Sequence, residues 1–244
     1  MMRRIVVCLD VDGGRVVKGV RFQSLRDIGD PADLAARYES QGADEIVFLD
    51  ISASAEGRST LLDSARRTAE RLFVPLTIGG GIRSVDDIAR TLRSGADKVS
   101  VNTAAVMRPT LLTEAAEQFG SQCVVASIDA KDRQVYVHGG RTPTQLDAVD
   151  WARTCVAHGA GEILLTSIDR DGARTGYDLG LTRAVAKAVT VPVVASGGAG
   201  GPSHVVEVLQ DADAALVAGI VHDGITTVGE IKAAVTGAGI PCRP

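Results

Sequence analysis

Two acidic residues occur in matching phrases half a chain apart. Asp10 ends the apolar run of "VCLDVDGGRVVKG" (7–19), and Asp129 ends that of "SIDAKDRQVYVHGG" (127–140), with a basic residue, Lys18 or Lys131, a little further on. Two carboxylates that face each other across a ligand cleft can divide acid and base roles if their surroundings push their pKa values apart. Each could instead cap a helix or pair with a neighbouring lysine, but their matched placement favours the chemical reading. Glycines recur in the same paired way, as Gly79-Gly80-Gly81 and Gly197-Gly198. Lacking Cβ, such residues let backbone N–H groups approach an anion, and a following helix N-terminus adds a favourable dipole. One such loop can be a plain turn; two in equivalent positions imply two phosphates at opposite ends of an elongated substrate. Asn102-Thr103 and Ala218-Gly219 lie beside those loops and would complete each cradle. The loop "DGGRVVKG" (12–19) reads as a mobile lid carrying Lys18, with a plain β-hairpin as the alternative.

Those residues need a frame. Eight short, mostly apolar runs punctuate the chain, at 4–10, 45–50, 74–80, 97–102, 123–129, 162–167, 191–198 and 214–219. They are apolar on both faces, as parallel strands covered by helices must be. Between them lie helical segments with readable ends: Ser84 and Asp87 form a capping-box pattern, Pro109 can open a helix, and Gly120 can close it. Gly-Ala pairs at 42–43, 95–96 and 159–160 predict the turns that return each helix to the next strand. Eight strand–helix units in 244 residues predict a single α/β domain, a (β/α)8 TIM barrel, with a doubly wound sheet as the rival. "ADEIVFLDIS" (43–52) aligns with "AGEILLTSID" (160–169), and "VPLTIGGG" (74–81) with "VPVVASGG" (191–198), at one constant offset. The barrel is therefore expected to consist of two half-barrels, about 1–120 and 121–244, with Asp10 and Asp129 on opposite sides of its mouth.

Composition narrows the class. A net charge of −4 and 3% aromatic residues give neither a phosphate-tracking surface nor stacking platforms, so no nucleic-acid partner is expected. The apolar run after "MMRR" is broken by Asp10, so it reads as neither a secretory signal nor a membrane span, and a cytoplasmic location is expected. Cys8, Cys123, Cys155 and Cys242 form no CxxC pair; Cys8 and Cys123 are expected to be buried strand residues. His138 and His222 have no second ligand two to five residues on, so loop hydrogen bonds are expected of them and no metal. No Ser-His-Asp order, nucleophile elbow or Walker phosphate loop occurs.

Taken together, "CLDVDGGRVVKGVRF", "DEIVFLDISAS", "TIGGGIRS", "GADKVSVNTAAV", "FGSQCVVASIDAK", "GAGEILLTSIDRDG" and "ASGGAG" closely resemble the cyclase subunits of imidazole glycerol phosphate synthase, of histidine biosynthesis, over almost the whole chain. The resemblance implies a cyclase that takes a bis-phosphorylated nucleotide and ammonia, without an organic cofactor, with Asp10 and Asp129 as its acid–base pair. It implies that Gly80, Gly81, Asn102 and Thr103 hold one phosphate and that Asp171, Gly172, Ser196, Gly197, Gly198, Ala218 and Gly219 surround the other, with Lys18 closing over the substrate. It also implies a glutaminase partner at the opposite end of the barrel, an ammonia gate of Arg4, Glu45, Lys98 and Glu162, and Asp97 at the partner's rim; ordinary pairing at strand starts is the alternative for the gate. Two departures stand out. "AGIVHDG" (218–224) replaces the family's Ala-Ser-hydrophobic-Phe-His-Phe, so Gly219 lacks the usual hydroxyl, and the segment 132–135 is about three residues short. These leave room for a related cyclase of another pathway, or for a barrel that only binds phosphate.

Overall fold

The computed structural model describes residues 2–20, 23–51 and 55–243, so the ends of two motif phrases, Arg21-Phe22 and Ser52–Ser54, lie outside the described residues. Eight parallel strands close into a barrel: β1 (Arg4–Asp12), β4 (Glu45–Asp50), β5 (Leu76–Gly79), β6 (Lys98–Val101), β7 (Val124–Lys131), β10 (Glu162–Ser167), β11 (Val193–Ser196) and β12 (Ala214–Val217). β1 pairs with β12 on one side and β4 on the other, and β10 pairs with both β7 and β11, which seals the cylinder. The predicted runs at 74–80 and 191–198 shorten to four residues each, because a proline precedes each strand and contributes only its carbonyl: Ile46 N–H donates to Pro75 at 3.0 Å, and Ile163 N–H to Pro192 at 3.0 Å.

Each strand is apolar on both faces because each face meets a core. On β1, Ile5, Val7 and Leu9 pack outward under the helices, while Val6 and Cys8 join Val47, Val125, Leu164, Val194 and Leu216 inside the barrel. The period of two carries Arg4 and Asp10 on the same inward series, one at each end of the apolar plug.

The outer helices begin and end as their sequences dictate. Ser84 and Asp87 form a capping box before α3 (Val85–Arg93), and Thr227 with Glu230 forms another before α10 (Val228–Gly237). Pro109 is the residue before α5 (Thr110–Phe119), which Gly120 ends at φ +90°. Asp30 before α1 (Pro31–Ser40) and Asp147 before α6 (Ala148–Ala157) cap with nearly identical backbones, φ −74° and ψ 134° against φ −74° and ψ 136°. Other matched positions repeat each other as closely: Gly42 and Gly159 have φ +98° and +97°, and Gly80 and Gly197 share φ +89°.

Both Asp-bearing strands run on into hairpins above the barrel rim. β1 turns at Gly13-Gly14 into β2 (Arg15–Val20) and β3 (Gln23–Gly29); β7 turns at Asp132-Arg133 into β8 (Gln134–Val137) and β9 (Thr142–Asp147). Both turns are two residues long with positive φ throughout, the form that matches strand twist. In the second, Asp132 and Arg133 adopt φ +47° and +65°, and Arg133 is tied to Asp147 at 3.0 Å, so the shortened loop is a tight turn. The 12–19 segment is thus part of a hairpin arm, the form the sequence held as the alternative to a mobile lid. One cysteine expectation fails: Cys8 is buried in β1, but Cys123 lies half-buried in a 3-10 turn (Ser121–Cys123), where Gly120 ends the preceding helix before β7 can begin. No helix among the described residues is long and apolar enough to cross a membrane.

Candidate active site

β1 and β7 are separated by three strands on each way round the barrel, so Asp10 and Asp129 face each other across its mouth. The Asp10 carboxylate has Cys8 Sγ at 3.9 Å; that of Asp129 accepts a hydrogen bond from Asn102 Nδ2 at 2.9 Å. Burial removes water from both and disfavours their charged forms, and the Asp171 carboxylate, carried by the loop after β10, adds like-charge repulsion to each. Asp10 is pushed up to about 7 and Asp129, eased by the Asn102 donor, to about 6. Asp171, although exposed, is itself raised by the partial loss of water around its carboxyl, against a hydrogen bond from Gly172 N–H. Asp171, expected to touch phosphate or substrate, stands in the structure as the third carboxylate of the mouth. Asn102 also leaves its buried Oδ1 without a partner among the described residues, an acceptor that a substrate N–H or O–H could use.

The glycines flanking this acid cluster have structural demands of their own. A Cβ at Gly80 would collide with the Asp50 carbonyl, one at Gly197 would sit 2.6 Å from the Ser167 carbonyl, and one at Gly198 would strike the Gly176 carbonyl. Side chains are excluded because strand-end backbones pack there. Gly81 follows Gly80 with φ +64°. After β6 and β12 the chain makes the same sharp bend: Asn102 (φ −113°, ψ −89°) leads into the short α4 (Thr103–Met107), and Ala218 (φ −140°, ψ −79°) into the short α9 (Gly219–His222). Gly80, Gly81, Asn102 and Thr103 therefore gather on one side of the mouth, and Ser196, Gly197, Gly198, Ala218 and Gly219 on the other. Thr103 Oγ1 accepts from His138 N–H at 2.9 Å, which links the first group to the β8–β9 connection. Gly172 takes φ +71°, and the loop that carries it is stitched to the second group by Gly176 N–H donating to Gly198 at 2.9 Å.

His222 is a packing and hydrogen-bonding residue. Its Nε2 lies 2.9 Å from the Cys8 carbonyl, which can only accept, so that nitrogen carries the proton and Nδ1 accepts from Tyr38 Oη at 2.7 Å. Burial pushes its pKa down to about 4 and keeps the ring neutral.

Lys18 reaches the mouth from β2, but the structure shows it engaged: its Nζ donates to the Gly219 carbonyl at 3.1 Å and pairs with Asp223 at 2.6 Å. Asp223 and its other partners, Arg26 and Arg174, escaped the sequence reading. The one signal was the acid that "AGIVHDG" places where the resembled family has an aromatic; that its three cations come from residues 18, 26 and 174 is a fact of the fold.

At the opposite end of the barrel four charges from four strands form a ring. Arg4 pairs with Glu45 at 3.0 Å and with Glu162; Lys98 pairs with Glu45 at 2.9 Å and with Glu162 at 2.7 Å. Glu45 also accepts from Thr77 Oγ1 at 2.6 Å. Both glutamates are almost wholly buried, a placement tolerable only because each meets two cations. Asp97 lies on the rim here, yet its carboxylate is bound to Leu76 N–H at 2.8 Å. Asp44 does the same for Ile5 at 2.7 Å and Asp213 for Val193 at 3.1 Å, so Asp97 belongs to a structural set that closes strand starts.

Residues 4–227 match the family described as "Histidine biosynthesis protein". The chain is 69% identical, over its full length and 98% of the relative, to the imidazole glycerol phosphate synthase subunit HisF of Myxococcus xanthus. It is 57% identical, over the full length of both chains, to the subunit of the same name from Halalkalibacterium halodurans.

Proposed function

The chain belongs to the histidine biosynthesis protein family, and from that premise we propose that it works as the cyclase subunit of an imidazole glycerol phosphate synthase. In this reading it combines ammonia with a bis-phosphorylated ribulosyl-formimino aminoimidazole carboxamide nucleotide, closes an imidazole ring, and releases imidazole glycerol phosphate and aminoimidazole carboxamide ribotide, a carbon–nitrogen lyase and cyclase reaction. The observation that carries it is the pair of opposed, raised carboxyls. At neutral pH Asp10, near 7, is substantially protonated and acts as the acid, while Asp129, near 6, is mostly ionised and acts as the base. Burial, with repulsion from Asp171 added to it, keeps both in that range, and Asn102 orients Asp129.

One phosphate rests against Gly80, Gly81, Asn102 and Thr103; the other against Gly172, Ser196, Gly197, Gly198, Ala218 and Gly219, at the side of the mouth where barrels habitually bind phosphate. Ammonia enters through the Arg4–Glu45–Lys98–Glu162 ring and crosses the apolar plug, supplied by a glutaminase subunit docked on the rim that includes Asp97. The reading treats the chain as one domain of two half-barrels, working in the cytoplasm on a soluble intermediate. Its test is turnover of that nucleotide with ammonium salt. Wild-type protein should convert it, and Asp10→Asn and Asp129→Asn should each lose at least about a hundredfold in kcat. A folded wild type that binds inorganic phosphate yet converts none of the nucleotide overturns the proposal.

A further inference from the structure

Lys18 and Arg26 stand directly opposite each other on β2 and β3, an arrangement in which like charges repel. The hairpin tolerates it because Asp223, from the far side of the barrel seam, lies between them: its Oδ1 takes Arg26 at 2.5 Å and its Oδ2 takes Lys18 at 2.6 Å. Arg174 pairs with the same carboxylate from the loop after β10, and Lys18, with Arg174, holds Asp223 below the usual carboxylate range. Three cations around one carboxylate leave an excess of two positive charges beside Gly219.

Two further features aim this cluster at the mouth. A Cβ at residue 219 would lie 2.9 Å from Lys18 Nζ and in ordinary contact, 3.6 Å, with Arg174 Nη2, so the bare Gly219 leaves Lys18 room to stand where it does. Arg174 adopts φ +58°, a conformation that L residues rarely take, and its carbonyl lies where a Cβ on Gly200 would fall, so packing against the "ASGGAG" loop fixes the strained turn that carries it. Such strain persists where a side chain must be aimed.

We propose that Arg174 and Arg26, with Lys18, are side-chain ligands for the substrate phosphate that sits at Gly198 and Gly219, and that Asp223 is the positioning residue that gathers them. Gly219 and Asp223, two of the departures in "AGIVHDG", are then linked: a hydroxyl contact is exchanged for a cationic grip that Gly219 leaves room for and that the Asp223 carboxylate draws together. A guanidinium fork suits a phosphate monoester, and a phosphate arriving here meets a net positive site.

The inference rests on the phosphate-binding part of the proposed function, so the experiment separates the two. Calorimetric titration with inorganic phosphate needs no turnover: Arg174→Gln should weaken binding at least fivefold, Arg26→Gln less, and raised salt should shrink the difference. In turnover with ammonium salt, the loss in Arg174→Gln should fall on KM more than on kcat. Asp223→Asn should also weaken phosphate, because dispersed cations bind worse. If Asp223→Asn instead binds phosphate more tightly, the carboxylate competes with the ligand and the positioning role is overturned. If Arg174→Gln and Arg26→Gln both bind phosphate as wild type does, the grip is overturned while the cyclase reading stands on its own assay. Circular dichroism and melting temperature exclude misfolding as the cause, and Arg174→Lys should recover part of the affinity.

Discussion

Asp10 and Asp129 put a pH signature on both catalysis and stability. Under the proposed roles the free enzyme acts with Asp129 ionised and Asp10 protonated, so kcat/KM should rise through about 6 and fall through about 7. A profile flat from pH 5 to 8 would remove the acid–base assignment. For stability, a carboxyl whose pKa is raised on folding holds its proton more tightly in the native chain than in the unfolded one. Its favourable contribution is whole below about pH 4 and is lost as pH rises through 6 to 7. Asp10→Asn should therefore melt higher than wild type at pH 8, by roughly 2–4 °C for each kcal/mol relieved, and the advantage should vanish near pH 4. Scanning calorimetry at the two pH values decides it. Both acids were legible in the sequence because each ends an apolar run. Their pKa order was not, since it depends on Cys8, Asn102 and Asp171, which reach them only through the fold.

At the scale of elements, the glycine loops show how one residue type serves two demands. Gly80 and Gly13 both have positive φ, but a Cβ at Gly80 would strike the Asp50 carbonyl, whereas one at Gly13 would meet nothing within 4 Å. Gly80→Ala should accordingly cost about 2–3 kcal/mol or more in urea unfolding, and Gly13→Ala about 1 kcal/mol. Equal losses would mean that backbone conformation alone matters and that the close packing beneath the mouth is relaxed. The capping box at Ser84, the Gly-Ala turns and the strand runs were readable because they obey local rules of hydrogen bonding and periodicity. The hairpin arms were half-read. "DGG" favours a tight turn, but whether such a segment folds over the mouth or hangs free depends on what Lys18 and Arg26 find there, and that is Asp223.

The molecule as a whole divides its charges by depth, with paired ions at one end, an apolar plug in the middle and raised acids at the other. Lys98→Met should leave two buried glutamates short of a partner and cost roughly 3 kcal/mol in denaturant unfolding. It should spare ammonium-dependent turnover but lower glutamine-dependent turnover with the glutaminase bound; equal losses in both assays would make the ring structural and not a gate. The family, the barrel, the two acids and the paired glycine loops were determined by sequence, because parallel strands, turns and strand-end positions follow from patterns a few residues long. The tertiary structure alone decided that Asp97 closes a strand start, that burial and Asp171 raise both acids, and that Lys18, Arg26, Arg174 and Asp223 meet beside Gly219. The reason is Coulombic: a charge's role is set by its neighbours within a few ångströms, and here those neighbours lie up to 205 residues away along the chain.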